Sequence, residues 1–149
     1  MPSMTVVRDI VAQPEDVFRT VSEPERFADA IDGVTSLVFL SDRRSGIGTR
    51  FRQSRVVGGK ASTMDFEVTE WVQNERVRIV NETHGTVWDS EFVVAPAVGA
   101  TTLTMRMEAR PTRFLPTLLM PLVMLMIQRA VTKDIDAVKA VCEAERDRD

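Results

Sequence analysis

The chain has 149 residues, 44% hydrophobic and 28% charged, with a net charge of −3 and a single cysteine (Cys142) and histidine (His84). A domain of that size buries about two-thirds of its unfolded surface, so a core forms without staples. The balance of charge gives no whole-protein pull toward nucleic acid. A Cys/His zinc cluster, an intrachain disulfide and, without tyrosine, phenol chemistry are all excluded.

The N-terminus meets Arg8 before any apolar h-region, so no secretory signal is expected. The longest apolar run, Phe114 to Ile127, is 14 residues broken by Pro116 and Pro121. A membrane span needs about 20, so stable membrane insertion is not expected and a cytoplasmic location is. Thr5 to Ala12 is rich in β-branched residues and predicts a strand. Pro14 followed by Glu15 and Asp16 predicts a helix start. Ser22-Glu23-Pro24-Glu25 has capping-box spacing and predicts a second short helix through Phe27 to Ile31.

From Val34 to Ala109 the hydrophobic period is two. Strands are predicted over 34–40, 49–57, 60–72, 76–83, 86–94 and 101–109, joined by turns that include Gly58-Gly59 and His84-Gly85. Met64, Phe66, Val68 and Val72 share one face of the 60–72 strand, and Leu103, Met105 and Met107 share one face of the last. Thr117 to about Arg146 is helical. Its second half carries an apolar stripe, Ile127, Val131, Ile135, Val138 and Cys142. Leu118 to Ile127 is apolar all round, which calls for cover on every side.

Strand, two short helices, hairpin meander and long helix give an α+β fold: a curved antiparallel sheet of about seven strands around the C-terminal helix, in one domain over 1–149. That order, with GIGTRFRQSRVVGGKASTMDFEVTEW, the following NERVRIV and the Gly99-Ala100-Thr101 turn, resembles the START/Bet v 1-like (SRPBCC) superfamily, and within it the bacterial polyketide cyclase/dehydrase-like members. The resemblance implies a helix-grip fold with a deep, mostly apolar cavity between sheet and helix. It also implies a lipid, polyketide or similar hydrophobic molecule as ligand.

Alternation places the candidate wall. Phe51, Gln53 and Arg55 share a face of their strand, Met64 and Phe66 of the next, and Asn81 can face inward from the 76–83 strand. Trp88, Ser90 and Phe92 follow, then Met105 and Met107, with Met124, Ile127 and Gln128 from the helix. Gln53, Arg55, Asn81 and Ser90 would be the few polar groups that orient a ligand in an apolar pocket. Arg55, near a strand end, can instead reach solvent. The methionines suit a pliable cavity.

His84 reads as a solvated turn residue in preference to a general base. A Ser90–His84–Asp89 triad is rejected, because 89 and 90 point to opposite faces. Arg43-Arg44, Arg50/Arg52 and Arg76/Arg78 read as a solvated sheet face, and neither nucleic acid, metal nor cofactor is expected. The leading reading is binding of a small hydrophobic molecule. Its alternatives are an aromatic cyclase/dehydratase-type enzyme using Arg55, Gln53, Asn81 or Ser90, and an interaction module using the apolar half-helix. A homodimer is left open.

Overall fold

The structure is a computed structural model that describes residues 2–112 and 119–148. In chain order it has β1 (Ser3–Ile10), α1 (Pro14–Ser22), α2 (Pro24–Ala30), β2 (Val34–Phe39), β3 (Arg50–Val57), β4 (Lys60–Val72), β5 (Arg76–Thr83), β6 (Thr86–Ala97), β7 (Ala100–Pro111) and α3 (Met120–Arg148). The strands form one seven-stranded antiparallel sheet in the order β1-β7-β6-β5-β4-β3-β2. This is the expected helix-grip arrangement. Thr117 and Leu118, expected at the start of the long helix, lie outside the described residues, as does Phe114 to Pro116 of the apolar run.

Each short helix opens on a proline, whose fixed φ suits the first helical position. The capping box does not form. Ser22 is the last residue of α1 and buried, and the cap of α2 is Glu23 in extended conformation with no side-chain cap bond. Pro24, with its φ already fixed near the helical value, starts α2 without a serine cap.

Cross-strand register builds three rows on the concave face. Phe39, Phe51, Phe66, Asn81, Trp88 and Ala109 form one row. Val68, Ile79, Ser90, Met107 and Met4 form the next. Trp71, Val77, Phe92, Met105 and Val6 form the third. A shift in register between Val68 and Glu70 brings Trp71 inward, where the sequence predicted Val72. Val72 is exposed, and the Trp71 ring meets Phe18 edge-on at 5.1 Å.

Helix α3 is held to both sides of the curved sheet. Ile135, Val138 and Cys142 form its buried stripe. On one flank Asp136 accepts from Arg8 Nε of β1 at 2.7 Å. On the other, Asp134 accepts two bonds from Arg55 of β3, at 2.7 and 2.9 Å. Acids two apart on a helix point in different directions, and here each reaches a different side of the grip. Farther along, Glu143 accepts the Val11 backbone N–H at 2.9 Å. Over its first two turns the outward side of α3 is uncovered, contrary to the expectation that an all-apolar half-helix is enclosed: Leu122, Val123, Leu125 and Met126 are exposed.

Candidate ligand site on the concave face

The inner face divides into a closed end and an open end. Val77, Phe92, Val94, Leu103 and Met105 are buried in the core with Val17, Phe18 and Val21 of α1 and Ile135 and Val138 of α3. The α2 ring of Phe27 reaches over the sheet to meet Phe92 edge-on at 6.0 Å. Phe92 and Met105, predicted as cavity wall, are thus covered by the helix pair.

One or two rows away the cover thins. Met64, Phe66, Ile79, Trp88 and Met107 point inward from strands well inside the sheet, yet they stay half-buried. Met124, Ile127 and Val131, half-buried on α3, pack on the margin of the core. Gln128, expected beside them, is exposed. At the β2 side an aromatic ladder lines the floor. Phe51 is buried and stacks on Phe66 with centroids 5.1 Å apart, while Phe39 tilts against it at 6.5 Å.

Polar groups on this surface are few. The Asn81 amide is buried and donates to Thr83 Oγ1 at 3.0 Å and to Met64 Sδ at 3.5 Å. Ser90 is buried between Ile79 and Met107 in its row. Gln53 is half-buried opposite Leu37 and Met64. Arg55 is inward but committed. Besides Asp134 it donates from Nε to the Asp32 carbonyl at 2.8 Å, so the guanidinium is tied down within the protein and not free for a ligand. Its bonds to Asp134 hold the guanidinium pKa above its ordinary value against the opposing effect of burial. With Arg8 paired to Asp136, both of these arginines are neutralised by α3, while Arg44 lies over the Phe39 ring at 4.9 Å and pairs with Glu25 of α2.

Asp89 lies on the opposite, convex face, where it receives Arg78 and Arg110 at 3.2 Å each. Arg78 also meets Glu91 at 2.8 Å, and Arg52 meets Asp65 at 2.7 Å. Arg52, Arg76 and Arg78 are therefore an ion ladder on the outer sheet face, whereas Arg43-Arg44, expected on the same face, lies in the β2–β3 connection, where Arg44 pairs with Glu25 of α2 at 3.1 Å. His84 is exposed at the β5–β6 turn with φ of 53°. A surface hollow of about 410 Å³ lies at the other end of the molecule, lined by Gln13, Pro14, Pro96, Ala97 and Arg146 among others. None of the predicted wall residues borders it.

Sequence reasoning missed Leu37, Phe39, Ile79 and Thr83 on this surface. Ile79 and Thr83 carried a signal, since they alternate with Asn81. Leu37 and Phe39 became assignable only through their partners Gln53 and Phe51.

A curved sheet gripping one helix over an apolar, charge-compensated surface defines a helix-grip protein. The chain belongs to the family described as polyketide cyclase/dehydrase and lipid transport, whose model matches residues 1–143. Its fold is similar to that of TTHA0849 from Thermus thermophilus, with a TM-score of 0.78 and 24% identity over 97% of this chain and 99% of that one. It is also similar to a START superfamily protein from Mycobacterium smegmatis, with a TM-score of 0.77 and 14% identity over 95% and 97% of the two chains. The di-domain ARO/CYC StfQ from the steffimycin biosynthetic pathway matches with a TM-score of 0.76 and 12% identity, over 97% of this chain and 51% of that one. The search of curated proteins finds no match.

Proposed function

We propose that the protein binds a small, uncharged, hydrophobic molecule between the open end of the concave face and α3. One observation carries this reading: Phe66, Trp88 and Met107, large apolar side chains on inner strands, remain partly accessible where the closed end buries its counterparts. Burying such surface gains about 25 cal/mol per Å², so an uncovered interior wall favours an apolar guest. Pairing of Arg8 and Arg55 with α3 leaves no uncompensated charge from these two residues for a carboxylate or phosphate. Gln53, Asn81 and Ser90 would orient the guest.

The test is titration with the apolar fluorophore Nile red, beside native mass spectrometry of protein from its own host. Wild type should enhance the probe at micromolar concentration, and Met107→Trp should weaken it at least tenfold without a large change in Tm. A wild type blind to the probe and free of any co-purified molecule would end this reading.

A cyclase-type reaction is the second reading, favoured by the family description and the fold shared with StfQ. It would rely on Gln53 and Asn81, because Arg55 is held by Asp134. Turnover of a polyketone lost in Asn81→Ala, with Nile red affinity kept, would support it.

A further inference from the structure

We infer that the first two turns of α3 are a docking surface for an anionic lipid bilayer. Leu119, at the entry to the helix, and Leu122, Val123 and Met126 recur at i, i+3, i+4 and i+7, and with Leu125 they are 38–63% exposed. The opposite side of the same turns carries Met124 and Ile127, which pack at the margin of the core. One short piece of helix therefore has two apolar faces, one toward the interior and one toward solvent.

Three observations select the occupant. The first is area: five partly exposed side chains offer on the order of 400–500 Å² of apolar surface, the size of a typical monomer's largest apolar patch, which is often functional. That is only about half of what each partner gives to a stable protein interface, roughly 800 Å², so a second copy seated on this stripe alone would be held weakly. The second is charge. From Leu119 to Lys133 the chain has no acid; its charged residues are Arg129 and Lys133, both exposed at the end of the stripe. Lys133 Nζ is 3.9 Å from an exposed Asp32 carboxylate, a contact that leaves it accessible. The first acid, Asp134, is occupied by Arg55. An apolar stripe ending in cations is the pattern of a segment lying in the headgroup layer of an anionic membrane. The third is length: no helix among the described residues is long and apolar enough to cross a membrane, which leaves the stripe to lie along one. Docking stands on this surface alone. Its use for loading the site from the bilayer rests on the ligand-binding reading.

The experiment is flotation of the full chain with phosphatidylglycerol vesicles and with phosphatidylcholine vesicles. Wild type should float with the anionic vesicles and at least fivefold less with the neutral ones. Leu122→Ser combined with Met126→Ser, both on the outward stripe, should lower anionic binding at least tenfold, and Arg129→Gln with Lys133→Gln about threefold. A wild type that floats with neither vesicle overturns the proposal. So does a wild type of doubled mass in light scattering that the Leu122→Ser/Met126→Ser variant returns to monomer, since the stripe then covers a second copy. Nile red binding without vesicles is measured on wild type and the same variants: its absence in wild type ends the ligand reading and leaves docking to be judged on flotation.

Discussion

Arg55 shows how a residue can be placed by sequence and still be misread in role. Alternation puts it on the inner face of β3 with Phe51 and Gln53, and the register agrees with that placement. Its partner Asp134 is 79 residues away, a distance over which no local pattern carries information. The guanidinium and carboxylate side chains are 19% and 14% exposed and bonded in parallel, a geometry that resists solvent screening. Arg55→Ala should destabilise by about 2–4 kcal/mol, near the lower end for a buried pair, because Asp134 is left unpaired. Adding Asp134→Ala should recover part of that loss. Both variants should bind Nile red within about threefold of wild type after allowance for unfolded protein. A stable Arg55→Ala that no longer binds the probe would show that the arginine serves the ligand and not the grip.

At the scale of elements, α3 is two helices in one. Its second half has one buried stripe set in a core of α1 and the sheet, and Ile135 lies at the centre of it. Ile135→Ala should cost about 2–5 kcal/mol in denaturant unfolding, through lost transfer energy and a residual cavity. A cost below about 1 kcal/mol would mean that this half does not pack on the sheet. The stripe was legible because its residues recur at helical spacing. The exposure of the first half was not: an all-apolar segment shows that burial is favourable without showing what provides it. Two other failures have local causes. The register shift at Val68/Glu70 exchanges Val72 for Trp71, and an extra residue in one strand leaves no mark in an alternating pattern. Ser22 has the spacing of a cap, but Pro24 can open α2 unaided.

For the whole molecule, element order and turn chemistry made the helix-grip fold legible, since a six-strand meander must lay its one apolar face on something. Which part of that face is solid depends on where α2 drops Phe27, and that is set in three dimensions. Alternation alone therefore groups Phe92 and Met105 with Trp88 and Met107 as one wall. In the structure the first two are core and the last two are half-buried. Opposite substitutions at the two ends should give opposite results. Leu103, fully buried at the closed end, has no room to relax, and Leu103→Ala should cost about 3–5 kcal/mol. Ile127, half-buried on α3 at the margin of the core, should accept Ile127→Phe for less than about 1 kcal/mol, because a partly accessible side chain can turn its added ring toward the proposed ligand site where a packed core would be strained. The same ring should weaken Nile red binding by occupying the probe's volume. Chemical denaturation of the two variants side by side decides the matter. Equal and large losses would mean that the interior is packed from end to end, leaving the outward stripe of α3 as the functional surface.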